Sequence, residues 1–397
     1  MQAIARGTAM DVHFVDLFFL IFAGAAVLGA IALATRQPIL IAYIAIGAIC
    51  GPSGLGYVAD PAVVSGMAEI GIIFLLFLLG LDMQPSSLWR LLRETSVVGI
   101  GSSLIFFAGG AVVAFATGAT AIEAAVLGAA CMFSSTIIGI KLLPTTVLHH
   151  RHVGELVVSL LLLQDLIAIV VLLVMAAVAS ESTSLGALAL PFVALPALIG
   201  AALLVVRWAI LPLLARFDTF HEFIFLIAIG WCLTVAVAAE AIGLSWEMGG
   251  FVAGISLASS PIAQYIAESL RPLRDFFLVL FFFSVGASFD LGMLGAVLLP
   301  AAALTLMMLV LKPVTLRVLL GGMGEDRATA WEVGWRLGQL SEFSLMIAYL
   351  GAAQGLLGKE ASHTLQLCAI LTFALSSYAV LFRYPSPISP IERLRRN

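Results

Sequence analysis

Apolar residues fill this chain in long runs, which short polar or glycine- and proline-containing stretches separate. An α-helix needs about 20 consecutive apolar residues to cross the hydrocarbon of a bilayer. Hydropathy windows of that length divide the chain into about thirteen runs. The pattern therefore predicts an all-α polytopic membrane protein with about thirteen transmembrane helices.

One acidic residue, Asp165, interrupts the apolar run of residues 156–178 near its middle. A carboxylate at the bilayer midplane costs at least about 2.5–3.5 kcal/mol on insertion scales, so such a residue usually faces a cavity or a partner charge. Gln164, beside it, offers a carbonyl oxygen without a titratable charge. We interpret Asp165 as a functional residue; the alternative is a structural ion pair between two helices.

Two other runs carry small and polar residues where the middle of a membrane helix is expected. These residues are Ser134, Ser135 and Thr136 in the first run, and Gly338, Gln339, Ser341 and Glu342 in the second. Such segments suit helices that unwind and line a cavity with backbone groups. They lie about seven runs apart, and an odd offset inverts the second copy, so the spacing predicts inverted repeats with two broken helices.

The composition agrees with a membrane protein throughout. The 397 residues are 62% hydrophobic and 11% charged, with a mean hydropathy of +1.14. Soluble domains have about 25% charged residues, which excludes a soluble domain with a single anchor. The four cysteines lie in apolar runs without metal-ligand or disulfide spacing, so we expect small core residues.

Lys and Arg residues collect in the connections on one side of the predicted membrane. With about thirteen spans, the N-terminal side receives only Arg6 and Lys359. Because basic residues favour the cytoplasmic side, we predict that the N-terminus is outside and the C-terminus is in the cytoplasm. Arg336 is counted among the cytoplasmic loop charges.

Lys312 lies inside an apolar run and is a second functional candidate. Pro313 follows it and frees the carbonyl of Leu309 from its helical hydrogen bond. The ammonium could be a charge partner of Asp165, a counter-charge for carbonyl ends at the breaks, or a purely structural group. For Glu342 we favour a helix cap over a ligand or a gate.

Three histidines, His149, His150 and His152, flank Arg151 in a predicted cytoplasmic loop. Histidine titrates near neutral pH, so this group could sense pH. A solvated polar loop is the favoured interpretation, because the sequence shows no partner for these side chains.

Short sequence motifs that occur in a fixed order along nearly the whole chain indicate a relationship to a known family. They are Glu69-Ile70-Gly71, Leu76-Phe77-Leu78-Leu79-Gly80-Leu81, Ser134-Ser135-Thr136, Gln164-Asp165, Gly249-Gly250-Phe251-Val252-Ala253-Gly254, Leu257-Ala258-Ser259-Ser260, Phe281-Phe282-Phe283-Ser284-Val285-Gly286, Lys312, and Gly338-Gln339-Leu340-Ser341-Glu342-Phe343. In this order they resemble the Kef-type potassium/proton antiporters of the second cation–proton antiporter family. The ordered set is far more specific than any of its members.

The resemblance implies an NhaA-like fold of inverted repeats with two crossing broken helices, and a homodimer. Asp165 matches the acid of the family that binds the cation and the proton, and Lys312 matches its membrane lysine. The implied division is residues 1–94 for scaffold helices 1–3, 95–180 for core helices 4–6, 181–218 for connector helix 7, 219–290 for scaffold helices 8–10, 291–384 for core helices 11–13 and 385–397 for a cytoplasmic tail.

Two departures from the family pattern matter. Kef proteins carry a cytoplasmic nucleotide-binding regulatory domain after the membrane part, whereas this chain stops soon after Arg396. We therefore expect either a trimmed chain or a member without that domain. Arg336 also stands where the family pattern has an apolar residue.

The predicted function is exchange of K⁺ or Na⁺ for a proton by alternating access, without a cofactor. A single carboxylate can hold either ion if its affinity for the proton is tuned by burial and neighbouring charge. Ser134, Ser135 and Thr136 would join Asp165 and Gln164 in a monovalent-cation site. Gln164 stands where electrogenic relatives carry a second acid, so we expect one-for-one, electroneutral exchange.

Other classes of function are less well supported. A gated cation channel would use the same acid in a continuous pore, but the two breaks favour alternating access and no filter-like loop is repeated. An intramembrane hydrolase would need a Ser–His pair or a second membrane acid at a sensible spacing, so we do not expect an enzyme. We expect a bilayer location, the bacterial inner membrane, and no nucleic-acid partner.

Overall fold

The computed structural model describes residues 14–35, 37–58, 61–82, 85–144, 152–179, 185–217, 221–258, 260, 262–386, 389 and 391–395. These residues are helical apart from connections and one isolated bridge between Ser386 and Arg395, which confirms the all-α class. The helices are α1 (Phe14–Ala34), α2 (Ile39–Cys50), α3 (Pro61–Asp82), α4 (Pro85–Ala116), α5 (Ala121–Cys131), α6 (Thr136–Lys141), α7 (His152–Ala179), α8 (Leu185–Val205), α9 (Leu211–Arg216), α10 (His221–Ala241), α11 (Trp246–Ala258), α12 (Ala263–Ala287), α13 (Leu294–Gly322), α14 (Arg327–Arg336), α15 (Glu342–Ala353) and α16 (Lys359–Arg383).

Seven helical segments of the described chain are long and apolar enough to cross a membrane. They belong to α1, α4, α7, α8 with α9, α10, α13 and α16. Shorter apolar segments lie in α2, α3, α5 and α15. The number of about thirteen spans stays a prediction, because α2, α5 and α15, with 12, 11 and 12 residues, fall below the length that a single crossing needs.

Polar residues in the connections set where several helices begin. Thr120 starts α5 with a capping box: its side chain accepts a hydrogen bond from the Glu123 N–H, and the Glu123 carboxylate accepts from Thr120. Asp326 starts α14 by accepting from the N–H groups of Ala328 and Thr329. Hydrogen bonds from the side chain and backbone of Thr329 lower the pKa of the Asp326 carboxyl.

The chain divides into two compact units. The first comprises Met1–Ala68, Ile100–Leu161 and Val279–Asn397, and the second comprises Glu69–Gly99 and Leu162–Leu278. The first unit contains α5, α6, α14 and α15, together with α13 and α16. The second contains α8 to α11 and the part of α7 that carries Asp165. The predicted division into scaffold and core helices stays a prediction.

In the first unit, α2 and α12 touch backbone to backbone through glycines. A Cβ at Gly47 would collide with the carbonyl oxygen of Phe283, and a Cβ at Gly286 would collide with the carbonyl oxygen of Ile44. A backbone carbonyl cannot turn away as a flexible side chain can. Both glycines are therefore needed for this close helix contact.

The second unit contains the same reciprocal contact between α3 and α11. A Cβ at Gly254 would collide with the carbonyl oxygen of Phe77, and a Cβ at Gly80 would lie 2.5 Å from that of Phe251. In the predicted inverted repeat, α11 is the counterpart of α2 and α12 is the counterpart of α3. The contact between α2 and α12 is then equivalent to the contact between α11 and α3, and this equivalence supports the inverted repeat.

Candidate functional site

The first helix break separates α5, which ends at Cys131, from α6, which begins at Thr136. The backbone of residues 133–135 is not helical. Ser135 restarts the helix, because its Oγ accepts a hydrogen bond of 3.1 Å from the N–H three residues later. Ser134 and Ser135 are fully buried, and the break predicted at this triplet is confirmed.

The second break separates α14, which ends at Arg336, from α15, which begins at Glu342. Ser341 caps α15 by accepting a hydrogen bond of 3.2 Å from the Phe343 N–H. The Ser344 hydroxyl accepts one of 3.2 Å from the Ser341 N–H, which completes a reciprocal cap. The predicted break is confirmed, whereas the cap role of Glu342 stays a prediction.

The two breaks contact each other inside the first unit. The hydrogen bonds that join them run from Ser134 Oγ to the Leu337 carbonyl (2.8 Å), from Gln339 Nε2 to the Ser135 carbonyl (3.4 Å) and from Ser344 Oγ to the Ala130 carbonyl (2.6 Å). An interrupted helix leaves backbone groups without their usual partners, and a buried group of this kind is costly. Each break supplies partners for the other, so the broken helices cross as expected.

Lys312, on α13, places its ammonium at this crossing. Nζ donates hydrogen bonds to the carbonyl oxygens of Phe133 and of Gln339 (2.9 Å) and to the hydroxyl of Ser134 (3.2 Å). It also lies 5.2 Å from the centre of the Phe106 ring. An ammonium has three donors, so these three oxygens can use all of them. The fully buried charge is thereby balanced by the carbonyl ends at both breaks.

Helix α16 supplies side chains that hold the second break. The Thr372 hydroxyl accepts a hydrogen bond of 3.1 Å from the Leu340 N–H, and the Ser376 hydroxyl donates one of 2.9 Å to Gln339 Oε1. Sequence reasoning missed both residues. The signal was available: a Thr and a Ser four positions apart share one face of a helix, and here that face is buried.

Asp165 and Gln164 lie near the middle of the 28-residue helix α7, within the second unit. Both residues are fully buried. Lys312 and the two breaks belong to the first unit. The cation-binding role of Asp165 and Gln164, and a charge pair between Asp165 and Lys312, therefore stay predictions.

Arg336 is buried, which corrects the expectation of a loop charge. The residue is 1% exposed, and its side chain forms an ion pair with Glu332 at 2.7 Å. It also donates to the carbonyl oxygens of Leu142 (3.0 Å) and Pro385 (2.9 Å), and it faces the ring of Tyr384. The planar guanidinium satisfies acceptors from three segments at once, which a buried charge requires.

His152 has carboxylate partners that its sequence does not reveal. Nε2 lies 2.8 Å from Glu325 Oε1, and Nδ1 lies 3.5 Å from Glu155 Oε2. His149 and His150 lie outside the described residues. His152 is the first residue of α7 and not part of a loop, and its side chain and that of Glu155 are more than half exposed. A pH-sensing role of these histidines stays a prediction.

The described residues contain no group of three or more His, Cys, Asp or Glu side chains that could hold a metal ion. The four cysteines are free and buried, as expected for core residues. The oxygens at the crossing are backbone carbonyls and hydroxyls, a donor set that suits hard cations.

The fold and the crossing define a class of membrane transport protein. Residues 19–381 match the family described as sodium/hydrogen exchanger, transmembrane, and the chain belongs to that family. It is therefore an integral membrane protein, and its family consists of transporters.

Within this class, the chain is similar to proteins named for potassium efflux. It is 31% identical over 374 residues to the glutathione-regulated potassium-efflux system protein KefC of Salmonella heidelberg. This alignment covers 92% of this chain and 60% of the relative. It is 29% identical over 359 residues to K(+) efflux antiporter 4 of Arabidopsis thaliana, and this alignment covers 87% of this chain and 60% of that relative. The chain thus spans about three fifths of the length of these relatives, and the expected Kef-type resemblance is confirmed.

A solved structure supports the same fold. The chain is similar to the sodium proton antiporter MjNhaP1 from Methanocaldococcus jannaschii with a TM-score of 0.72, over 92% of this chain and 95% of the other. The sequence identity is 15%, so this likeness concerns the fold alone.

Proposed function

We propose that this protein exchanges a monovalent cation, K⁺ or Na⁺, for a proton across the membrane by alternating access. The observation that carries the proposal is the crossing of two interrupted helices, with the Lys312 ammonium bonded to carbonyls of both breaks. Broken helices at inverted positions form the ion sites of secondary transporters. The names of the relatives, which include K⁺ efflux antiporters and a sodium proton antiporter, support the same activity.

In this proposal Asp165 carries either the proton or the cation. A buried carboxylate holds its proton until a cation replaces it, so the two ions compete for one group. Gln164 contributes an oxygen ligand without a second charge, and Ser134, Ser135 and Thr136 contribute hydroxyl oxygens. One titratable group makes the exchange one-for-one and electroneutral.

The proposed setting is a homodimer in a bacterial inner membrane, with the N-terminus outside and the C-terminus in the cytoplasm. The family resemblance supports the dimer, and the distribution of Lys and Arg supports the orientation. A nucleotide-binding regulatory domain, as in Kef proteins, would be a partner that acts on this membrane part.

Proteoliposomes with a pH-sensitive dye inside test the activity. Addition of KCl or NaCl outside should drive protons across the membrane, at a rate that a clamped membrane potential does not change. Asp165→Asn keeps the side-chain shape but cannot exchange a proton, so its flux should fall to that of protein-free vesicles.

Two results would contradict the proposal. Full exchange by a folded Asp165→Asn protein would remove Asp165 from its role. Single-channel currents in planar bilayers, without coupled proton movement, would indicate a cation channel instead.

A further inference from the structure

The Gln339 side chain is held by two hydrogen bonds of unequal quality. Its Nε2 faces the Ser135 carbonyl at 3.4 Å, and its Oε1 accepts from the Ser376 hydroxyl at 2.9 Å. A carbonyl oxygen only accepts, so the amide nitrogen must be the group that faces Ser135. A distance of 3.4 Å is long for a hydrogen bond, whereas 2.9 Å is near the optimum. Ser376 is therefore the main anchor of the amide.

Gly338 lies beside this anchor. A Cβ there would be in ordinary van der Waals contact with the Ser376 hydroxyl at 3.5 Å and would lie 3.3 Å from the Trp335 carbonyl oxygen. The same hydroxyl lies 3.5 Å from the Trp335 carbonyl, which is too long to compete with its bond to Gln339. Ser376, Gln339 and Ser135 are all fully buried, so water does not replace a lost bond at low cost.

We propose that Ser376 is a positioning residue that sets the preference between K⁺ and Na⁺ through the Gln339 amide. The inference rests on the proposed function, in which a cation reaches the crossing of the breaks. Anchored by Ser376, the amide keeps its own oxygen and the Ser135 carbonyl occupied, and both are withheld from a cation. Cation selectivity depends on the number and field strength of such oxygens, and a larger ion takes more ligands.

Ser376→Ala should therefore release two oxygens and favour the larger cation. We expect the ratio of KM for Na⁺ to KM for K⁺ to rise about fivefold, which corresponds to about 1 kcal/mol, the net value of one hydrogen bond. Dye-loaded proteoliposomes titrated with each salt at one fixed pH give this ratio. The maximal rate should change less, because Ser376 itself transfers no proton.

Matched variants test whether a changed KM ratio comes from the position of the Gln339 amide or from a general loss of packing. Ser377, the next residue on α16, is also buried, and its hydroxyl has no hydrogen-bond partner among the described residues. Ser377→Ala should leave the KM ratio unchanged, and Ser376→Thr, which keeps a hydroxyl, should restore it. In a Gln339→Met background, Ser376→Ala should have no further effect, since the amide it positions is gone.

The outcomes distinguish this inference from the function on which it rests. An active, folded Ser376→Ala protein with the wild-type KM ratio would overturn the inference alone, as would full additivity with Gln339→Met. If Ser376→Ala does not fold, Ser376→Cys keeps the volume with a weaker donor, and an unchanged ratio there would overturn it equally. Absence of cation-driven proton flux in the wild-type protein would overturn the proposed function.

Discussion

At the scale of single residues, Lys312 shows how a buried charge can be balanced by peptide groups. Its ammonium lies among the carbonyl oxygens of Phe133 and Gln339 and the Ser134 hydroxyl, where two helices have been interrupted. Carbonyl ends of helical segments carry partial negative charge, and three of the residue's near neighbours are oxygens. The lysine and the breaks therefore stabilise each other.

The variant Lys312→Gln tests this account. An amide supplies fewer donors and no charge, so we expect each oxygen left without a donor to cost about 1–3 kcal/mol of folding free energy. Because the lost partners are neutral carbonyls, the pH optimum of cation exchange should stay in place. Thermal unfolding in detergent and stopped-flow exchange at several pH values measure the two effects.

The opposite result would assign Lys312 to Asp165. Removal of a positive partner makes a buried carboxylate hold its proton more tightly, so the pH optimum would move upward. Stability would then fall most at high pH, where Asp165 has lost its proton.

Sequence reasoning identified Lys312 and the break residues because their polarity contrasts with apolar surroundings. It did not find Thr372 or Ser376, since an isolated hydroxyl in a membrane helix commonly bonds to its own backbone. It also placed Arg336 in a loop. The acceptors that allow this arginine to be buried are backbone carbonyls, such as that of Pro385, which no sequence pattern displays.

At the scale of helices, the reciprocal glycine contacts are the feature most sensitive to small changes. Gly254→Ala should separate α11 from α3, because the added Cβ meets the backbone carbonyl of Phe77. Overpacking of this kind destabilises by about 1–3 kcal/mol. The midpoint of thermal unfolding in one detergent should fall accordingly.

Gly230→Ala on α10 is the matched control, since a Cβ there meets nothing within 4 Å. It should leave stability unchanged or raise it by up to about 1 kcal/mol through better helix propensity. Equal changes in the two variants would show that the glycine contact is not tight. Gly47→Ala, in the equivalent contact of the other unit, should behave as Gly254→Ala does.

Helix positions followed the apolar pattern closely where a run was bounded by turn residues. The run of residues 39–50 ends before Gly51 and Pro52, and α2 has the same limits. The breaks were also predictable, because Ser and Gly are poorly suited to the middle of an apolar helix. The contact between the two breaks was a consequence of packing, which sequence spacing could only suggest through the inverted repeat.

At the scale of the whole molecule, the predicted orientation can be tested with single cysteines. The four native cysteines are buried and can be replaced to give an unreactive background. Leu55 is 67% exposed in a connection predicted to be outside, and Ala328 is exposed near the start of α14, predicted to be cytoplasmic. A membrane-impermeant maleimide should label Leu55→Cys in intact cells and Ala328→Cys only after lysis.

Labelling of Ala328→Cys in intact cells, with protection of Leu55→Cys, would reverse the orientation. The test is independent of transport activity. It therefore checks the distribution of Lys and Arg separately from the function of Asp165.

The number of crossings was the least predictable property of the whole chain. Windows of about 20 residues suit continuous helices, whereas α5 has 11 residues and α15 has 12. Each of these is half of an interrupted helix. Hydropathy recognises the apolar character of such halves, but their pairing depends on hydrogen bonds between residues far apart in the chain.

The hydrogen bonds of Arg336 have a consequence for folding kinetics. They join residues separated by 194 and 49 positions, Leu142 and Pro385 respectively. Each doubling of a closed loop adds only about 0.6 kcal/mol of entropy cost, yet the loops must close before the bonds can form. If these contacts form only after the folding transition state, they slow unfolding more than they speed folding. In that case the buried guanidinium gives the C-terminal ends of α6, α14 and α16 a long native lifetime.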